Sequence, residues 1–260
     1  MYQATTALRK IQRLTKRIKV IQGGTSAGKT VAIMLYLIDK AQRLNTTVSV
    51  VSESMPHLKK GAMRDFLSIM QTHKYYVEKQ HNKTDSVYNF ETASWMEFFA
   101  VDEPGKARGP RRKILYINEA NRLPYSIYEQ LEIRTADEVI IDYNPVNEFW
   151  AHTEIINNPA IDNDFLILNY MDNEALEPAI VETIESRKNN INWWKVYGLG
   201  ETGINEGQVF SDWKRIAEIP PEAELLRHTL DFGYTNHPSA LVDIYKWNNA
   251  YILDEVLYEP

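Results

Sequence analysis

Residues 18–30 read Ile-Lys-Val-Ile-Gln-Gly-Gly-Thr-Ser-Ala-Gly-Lys-Thr, which predicts a buried strand, a glycine-rich loop and the start of a helix. Gly23, four intervening residues and then Gly28-Lys29-Thr30 satisfy the pattern G-x-x-x-x-G-K-[ST] of a phosphate-binding loop. Glycines allow backbone N–H groups to turn toward an anion, and the N-terminus of a helix attracts phosphate. A chance match is disfavoured because an apolar run precedes the loop and an apolar helical pattern follows it.

The loop predicts a nucleotide site with a role for each of its last residues. We expect Lys29 to reach the β- and γ-phosphates and the Thr30 hydroxyl to hold Mg²⁺. The expected cofactors are therefore ATP and Mg²⁺. The residues expected to contact the nucleotide are Gly23, Gly24, Thr25, Ser26, Ala27, Gly28, Lys29 and Thr30.

Length and composition bound the class of protein. A chain of 260 residues with 44% hydrophobic residues can form one large or two small domains with a sizeable core. The absence of cysteine excludes disulfides and thiolate metal sites. No apolar run approaches the roughly 20 residues that span a bilayer, and the N-terminus lacks the apolar segment of a signal peptide. We therefore expect a soluble, cytoplasmic protein that does not contact a membrane.

Charge is unevenly distributed along the chain. The net charge of −6 argues against a protein that coats nucleic acid over its whole surface. A basic segment nevertheless lies within residues 9–19, and a second cluster lies within residues 108–113. Such runs are more often solvated faces than binding sites. The members of the two groups are Arg9, Lys10, Arg13, Lys16, Arg17 and Lys19, then Arg108, Arg111, Arg112 and Lys113.

Apolar patterns predict strands that alternate with helices. Such alternation is typical of an α/β fold with a mostly parallel sheet covered by helices, where ligands bind at the carboxyl ends of the strands. Besides the first strand, we expect strands at residues 47–52, 114–117, 138–142 and 165–169, and a hairpin at 86–90 and 94–100. The expected helices are 6–17, the helix after the loop, 63–73, 124–134 and 176–188.

The composition changes near Gly198. Four glycines within residues 198–207 and then Ile219-Pro220-Pro221 indicate a linker. Three short strands are expected after it, at residues 229–232, 240–246 and 251–256. These residues are too few to close a hydrophobic core of their own.

The strand at 114–117 ends in Asn118-Glu119, which resembles the second motif of phosphate-loop ATPases. The first position of that motif normally orients Mg²⁺ with an aspartate, and the second normally activates the attacking water. Glu119 is the expected catalytic carboxylate. Asn118 brings no negative charge but can accept a hydrogen bond from a metal-bound water, so we expect weaker metal support rather than loss of activity. An ordinary strand-to-helix turn is the alternative.

Three other positions carry candidate chemistry. Arg108, just before this strand, is a candidate arginine finger for a neighbouring subunit's γ-phosphate, with Arg111 and Arg112 as substitutes. A polar side chain in Asp-Tyr-Asn-Pro, residues 142–145, can sense the γ-phosphate, although Asn-Pro alone is only a turn signal. Asp231, within an apolar strand, is a candidate nuclease-metal ligand, with a capped strand end as the alternative.

These motifs, in this order, resemble the large terminase subunit of tailed bacteriophages over nearly the whole chain. The phosphate loop is followed by Ala-Arg-Gly before Ile-Leu-Tyr-Ile-Asn-Glu-Ala, and then by Asp-Tyr-Asn-Pro with Phe-Trp at 149–150. Asn-Tyr-Met-Asp-Asn at 169–173, Tyr-Gly-Leu-Gly-Glu at 197–201 and Glu-Gly-Gln-Val-Phe at 206–210 come next. The last stretch is Asp-Phe-Gly-Tyr-Thr-Asn-His-Pro-Ser-Ala at 231–240.

The resemblance implies a packaging ATPase followed by a nuclease of ribonuclease-H type. It implies an ATPase domain at 1–200, a linker at 201–226 and the first part of the nuclease domain at 227–260. Glu119 would be the catalytic carboxylate, Arg108 the trans-acting arginine and Asn144 part of the coupling motif. Asp231 would be the first nuclease-metal ligand, for Mg²⁺ or Mn²⁺. DNA cleavage is expected only from a longer chain that carries the further acids.

Three residues depart from the family pattern. Thr25 stands where many relatives have an arginine, and Asn118 replaces the usual aspartate. His237 stands where Asp-Pro is common, which weakens the expectation of metal chemistry near Asp231.

The resemblance implies a motor subunit that hydrolyses ATP to translocate double-stranded viral DNA into a prohead. The expected partners are double-stranded DNA, the portal protein, the small terminase subunit and further copies of the chain in a ring. The expected location is the host cytoplasm and, transiently, the prohead portal. Two alternatives remain open: another nucleic-acid-dependent ATPase of helicase or recombinase type, and an assembly scaffold that binds nucleotide without hydrolysis.

Overall fold

The computed structural model describes residues 3–101, 111–203, 214–232 and 239–259. The chain separates into two compact units, Met1–Glu206 and Gly207–Pro260. Each is described by itself. The roles expected for residues 1–200, 201–226 and 227–260 stay predictions.

The first unit is built on an eight-stranded sheet with the strand order β3-β4-β5-β2-β6-β7-β1-β8. All neighbouring strands are parallel except the β3–β4 and β4–β5 pairs, which form an antiparallel edge. The α/β prediction and the predicted hairpin are thus confirmed. The strands are β1 Ile18–Gly23, β2 Thr47–Ser52, β3 His81–Asn82, β4 Val87–Asn89, β5 Trp95–Ala100, β6 Arg112–Ile117, β7 Thr135–Tyr143 and β8 Asn163–Leu168.

Helices cover both faces of this sheet. One buried cluster joins the sheet to the first four helices, and a second joins its other face to α5 and the helical turns at Ala151–Ile156. Val20 belongs to the second cluster and Ile21 to the first, because successive side chains of a strand point to opposite faces. The helices are α1 Thr6–Gln12, α2 Lys29–Arg43, α3 Met55–Lys60, α4 Ala62–Thr72, α5 Tyr125–Glu132, α6 Pro178–Glu185 and α7 Ile191–Trp193.

Three polar loops meet at the carboxyl ends of the parallel strands. Strands β1, β7 and β6 are adjacent and parallel, with Ile21 opposite Asp142 and Ile141 opposite Ile117. Their carboxyl ends therefore point the same way. The glycine-rich loop, Asn118 and the residues after β7 meet at this edge, where ligands bind in sheets of this type.

Helices α1 and α3 differ from the sequence prediction, and the three-residue α7 is not predicted either. The predicted helix at 6–17 ends at Gln12, where the backbone leaves the helix before β1. Helix α3 is not predicted by the apolar pattern, because it is only six residues long. Its start is nevertheless encoded locally: the Ser54 hydroxyl accepts a bond from the His57 N–H, and Pro56 lies in the first turn.

The second unit contains a three-stranded antiparallel sheet with the order β11-β10-β9. Its strands are β9 Glu224–Asp231, β10 Ser239–Trp247 and β11 Ala250–Glu259. The three predicted strands are confirmed, although β9 begins at Glu224, inside the predicted linker. Within the described residues of the chain, no helix is long and apolar enough to cross a bilayer.

Candidate nucleotide-binding site

The glycine-rich loop turns directly from β1 into α2. Gly28 precedes the first helical residue and has a φ of 73°, a left-handed conformation that glycine adopts without strain. The side chain of Lys29 is buried and folds back over the loop. Its Nζ donates to the carbonyl oxygens of Gly23 at 2.8 Å and Gly24 at 3.1 Å, and to Asn144 Oδ1 at 2.8 Å. Lys29 and Asn144, expected from the sequence to act on the same phosphate, are therefore in direct contact.

Two segments late in the first unit shape the loop from outside. A Cβ atom added to Gly24 would lie 2.2 Å from the carbonyl oxygen of Tyr197, so only glycine fits there. Asn173 Nδ2 donates to the Ser26 carbonyl at 2.9 Å. Residues 147 and 173 positions away thus hold the loop in place, a contribution that the local sequence pattern does not indicate.

A cavity of about 370 Å³ lies over the loop, within the size range of small-ligand sites. Helix α4 contributes the charged residues Arg64 and Asp65 to its wall, and the carboxyl ends of β6 and β7 contribute three polar residues. The complete lining is Gly24, Thr25, Ser26, Ala27, Gly28, Lys29, Thr30, Val31, Arg64, Asp65, Glu119, Asp142 and Asn144.

A buried hydrogen-bond network connects the ends of β6 and β7 beneath this cavity. Asp142 Oδ1 accepts bonds from the Tyr116 hydroxyl at 3.0 Å, from Asn118 Nδ2 at 3.0 Å and from the Glu119 N–H at 3.1 Å. Asn118 Nδ2 also donates to the Tyr116 hydroxyl at 3.1 Å. The amide of Asn118 therefore acts as a donor to a carboxylate, whereas the sequence motif predicts that it accepts from a metal-bound water.

Opposite charges lie in this buried environment. Burial lowers the pKa of Lys29, and the negative charges of Asp142 and Glu119 oppose that shift. Burial raises the pKa of Asp142, and Lys29 together with the three hydrogen bonds opposes that shift. A polyphosphate entering the cavity would add negative charge beside Lys29 and so stabilise its protonated form.

Glu119 occupies an unusual backbone position at the end of β6. Its φ and ψ are both 56°, a left-handed conformation that non-glycine residues adopt at an energetic cost and often at functional sites. Its carboxylate faces the cavity, accepts a bond from Arg122 Nε at 3.1 Å and lies 3.7 Å from His57 Nε2. The side chain is 28% exposed, so an attacking water can reach it.

The side chains at this edge fit a magnesium ion. Thr30, Glu119 and Asp142 present hydroxyl and carboxylate oxygens, the ligand type that Mg²⁺ prefers, and nucleotide phosphates supply further oxygens. Thr30 lies in the first turn of α2 and lines the cavity together with Asp142. The Thr30 hydroxyl and the Asp142 carboxylate therefore border the same space.

The candidate arginine fingers have different surroundings. Arg108 lies outside the described residues, so its role stays a prediction. Arg111 is exposed. Arg112 is 2% exposed, with its guanidinium 5.7 Å from the centre of the Phe99 ring, and is therefore not available to a neighbouring subunit.

The basic segment near the N-terminus is largely neutralised within the chain. Five of its six side chains form ion pairs with acidic residues of the first unit, which favours a structural role over a free cationic surface. The pairs are Arg9–Glu174, Lys10–Asp172, Lys16–Asp162, Arg17–Glu132 and Lys19–Glu138.

Asp231 ends β9 opposite Ala240 and is exposed. Asp243 is opposite Asp254 and hydrogen-bonds to His228. Across the described part of the chain, three or more metal-ligating side chains are nowhere grouped around one point. The metal role expected for Asp231 stays a prediction, and His237 lies outside the described residues.

The sequence also matches a known family. Residues 15–201, which include the loop, both strand ends and Asn173, match the family model described as phage terminase large subunit. The chain belongs to this family. The search of curated proteins finds no match.

Solved terminase structures have the same fold as this terminase chain at low sequence identity. A large terminase from a thermophilic bacteriophage, in complex with ADP, has a TM-score of 0.66 and 15% identity, over 96% of this chain and 67% of that one. The ATPase domain of the Thermus phage P74-26 large terminase has a TM-score of 0.57 and 14% identity, over 77% and 94%. The Phi-28 gp11 DNA packaging motor has a TM-score of 0.53 and 10% identity, over 94% and 77%.

Several residues around the site of this terminase have no strong signal in the sequence. Tyr116 looks like an ordinary strand residue, and Asn173 ends the stretch Asn-Tyr-Met-Asp-Asn, which matches the family pattern but indicates no role for it. Arg64 and Asp65 lie on a helix whose sequence indicates an amphipathic helix but no binding role. Each reaches the site through long-range contacts, so that only an alignment of relatives or a structure would reveal it.

Proposed function

We propose that this terminase chain is an ATPase motor subunit that couples ATP hydrolysis to the translocation of double-stranded viral DNA. The observation that carries the proposal is the cavity onto which the phosphate loop and Glu119 both face. One side of this cavity can hold a triphosphate, and the other can direct water at its terminal phosphorus. This is the minimum arrangement for phosphate-loop hydrolysis.

Known relatives support the nucleotide assignment. The large terminase of the thermophilic bacteriophage was solved with ADP and with ATP-γ-S, and the Phi-28 protein is a DNA packaging motor. In this chain we assign phosphate binding to the loop, with Lys29 on the β- and γ-phosphates. We assign metal binding to Thr30, water activation to Glu119 and sensing of the γ-phosphate to Asn144. When bound, Mg²⁺ would neutralise phosphate charge.

Assembly with partners follows from the same proposal. Arg108 would act in trans on a neighbouring subunit, so hydrolysis requires a ring of copies of this chain. The ring would engage double-stranded DNA, the portal protein and the small terminase subunit, in the host cytoplasm and at the prohead portal. The exposure of Arg111 and the burial of Arg112 leave Arg108 and Arg111 as the candidate fingers.

The test is phosphate release by the purified protein with and without double-stranded DNA, beside the mass of the assembly. We expect Mg²⁺-dependent release that DNA stimulates. Binding of ATP without any phosphate release under either condition would favour a scaffold. Strand separation without a portal would favour a helicase.

We further propose that residues 227–260 belong to a nuclease domain with Asp231 as a metal ligand. The support is the resemblance around Asp231 and the antiparallel sheet of the second unit. The test is Mn²⁺-dependent DNA cleavage by the protein as the phage encodes it, before and after Asp231→Asn. Cleavage that survives the substitution contradicts the role of Asp231.

A further inference from the structure

Position 118 of this chain does not supply the carboxylate that its motif normally carries. Asn118 is 3% exposed, and its amide nitrogen is committed to Asp142 Oδ1 and the Tyr116 hydroxyl. Its amide oxygen instead faces Gly61, 3.8 Å from where a Cβ on that residue would lie. The side chain is thus oriented as a donor toward a neighbouring carboxylate.

That neighbouring carboxylate belongs to Asp142 on β7, the strand between β6 and the loop strand β1. Asp142 is 2% exposed and lines the cavity over the loop. All three hydrogen bonds that it accepts go to one oxygen, Oδ1. The other oxygen, Oδ2, makes no hydrogen bond within the described residues. Asp142 is therefore held by one oxygen while the second is left for a ligand.

A counter-charge for Lys29 is the competing explanation for a buried aspartate here. Lys29 has three ammonium protons, and its Nζ has three acceptors in Gly23, Gly24 and Asn144. In the part of the chain that the structure describes, it forms no ion pair with Asp142, although both residues line the cavity. Lys29 therefore acts on Asp142 only through its charge in the same cavity and makes no direct bond to Oδ2.

The Thr30 side chain borders the same cavity as this carboxylate. Thr30 and Asp142 both line the space over the loop, and the Tyr116 hydroxyl holds Asp142 Oδ1 at 3.0 Å. A cation bound to the Thr30 hydroxyl would therefore share this cavity with the Asp142 carboxylate. A buried carboxylate costs free energy unless a cation or hydrogen bonds compensate it, and magnesium compensates it directly.

We propose that Asp142 supplies the carboxylate that holds the nucleotide-bound magnesium ion, directly or through one of its waters, in place of residue 118. The proposal rests on the proposed ATP site and goes beyond it by assigning the metal-orienting role to a different strand. Asn118 becomes a positioning residue that fixes Asp142. The site keeps one carboxylate for the metal, supplied from β7 instead of β6.

Nearly isosteric substitutions test this exchange. ATP affinity is measured with a fluorescent ATP analogue, in Mg²⁺ and in EDTA, for wild type, Asp142→Asn and the double variant Asn118→Asp/Asp142→Asn. We expect Asp142→Asn to keep its EDTA affinity and to bind Mg²⁺–nucleotide about 10- to 100-fold more weakly, the usual cost of disturbing a metal's supporting ligands. The double variant, which restores one carboxylate, should recover most of the Mg²⁺ effect.

Unfolding in the absence of nucleotide separates structure from metal binding. Equal losses of affinity in Mg²⁺ and EDTA, with a lower melting temperature, would mean that Asp142 is only structural and would overturn the proposal. An unchanged Mg²⁺ effect in Asp142→Asn would also overturn it. If wild type itself binds no ATP, the proposed function fails instead, which is a distinguishable result.

A wild-type crystal with Mn²⁺ and a non-hydrolysable ATP analogue makes the test independent of whether a variant folds. Anomalous scattering locates the ion. We expect it bound to Asp142 Oδ2, at about 2.1 Å for an octahedral ion of this kind, or joined to it by one water. An ion attached to the Asn118 oxygen and separated from Asp142 would refute the proposal.

Discussion

At the residue scale, the backbone at Glu119 fixes where its carboxylate points. The left-handed conformation and the bond from the Glu119 N–H to Asp142 turn the chain sharply after β6. Arg122 Nε then donates to one oxygen of the carboxylate. The side chain proposed as the catalytic base is thus positioned by its own turn and by the network below it.

Glu119→Gln removes the base without changing side-chain size. We expect phosphate release to fall about 10²- to 10⁴-fold, since that is the usual contribution of general-base catalysis. ATP affinity should stay within a few-fold of wild type because the phosphate loop is intact. Steady-state phosphate release and binding of a fluorescent ATP analogue measure the two effects.

Glu53→Gln is the matched control, because Glu53 lies 3.8 Å from the same Arg122 and is 49% exposed. It should leave turnover nearly unchanged. Near-normal hydrolysis by Glu119→Gln would remove Glu119 from the mechanism.

At the element scale, the loop depends on a close contact with the segment at Trp194–Gly198. Gly24→Ala places a methyl group 2.2 Å from the Tyr197 carbonyl oxygen, while the Gly24 N–H is bonded to the Leu168 carbonyl at 3.2 Å and holds the loop backbone in place. We expect the free energy of unfolding to fall by about 1–3 kcal/mol, as for other overpacked sites. Thermal unfolding of the two proteins measures it.

Thr25→Ala is the control for this loop change, because Thr25 is exposed on the same turn. It should shift the melting temperature little. Equal melting temperatures for Gly24→Ala and wild type would mean that the close contact between Gly24 and Tyr197 is absent in solution.

A second element-scale prediction concerns Glu138, which joins β7 to β1 and α2. Its carboxylate accepts bonds from Lys40, Tyr36 and Lys19, and all of these groups are at least partly buried. Burial by itself would raise the pKa of Glu138, but the bonds from Lys40 and Tyr36 and the two lysine charges outweigh it and lower the pKa below 4.5. Glu138→Gln should therefore destabilise the protein by about 3 kcal/mol at pH 7, the scale for a broken buried pair.

The lowered pKa of Glu138 also predicts how the stability difference changes with pH. The stabilisation from a depressed folded-state pKa is fully present above the ordinary value of 4.5 and is lost as the pH falls through the lower folded-state pKa. The difference in stability between wild type and variant should shrink over that range. Glu132→Gln, which breaks the more exposed pair with Arg17, should cost under about 1 kcal/mol throughout. A stability difference between wild type and Glu138→Gln that is independent of pH would contradict the ion-pair explanation.

At the scale of the whole molecule, the proposed ring requires two different subunits to build one active site. Arg108→Ala should lower phosphate release about 10³- to 10⁵-fold, the usual contribution of an arginine finger. Mixing this variant with Glu119→Gln should restore activity, because some interfaces then pair an intact Glu119 with an intact Arg108. Phosphate release across mixing ratios measures the effect.

Arg111→Ala is the comparison variant in the same mixing series. If it complements Glu119→Gln and Arg108→Ala does not, the finger is Arg111. Failure of both mixtures, or specific activity that does not depend on protein concentration, would argue against a trans-acting arginine.

Local sequence was informative wherever neighbouring residues encode the structure. The strand at 47–52 was predicted at its observed bounds because its β-branched run needs no distant partner to be recognised. The phosphate loop was equally predictable from the sequence, because its glycines meet a local requirement of the backbone conformation. By contrast, the predicted helix at 6–17 was too long, because the basic residues after Gln12 make ion pairs across the fold instead of extending the helix.

The amino-acid order alone was enough to predict an α/β core, a nucleotide loop and Glu119 as the candidate base, because each is encoded within a few consecutive residues. The pairing of Asn118 with Asp142, 24 positions apart, came only from the arrangement of β6 beside β7. Hydrogen bonding and burial depend on which strands become neighbours, and a one-dimensional pattern does not contain that information. The partner of a side chain, and hence its chemical role, is therefore a property of the folded chain.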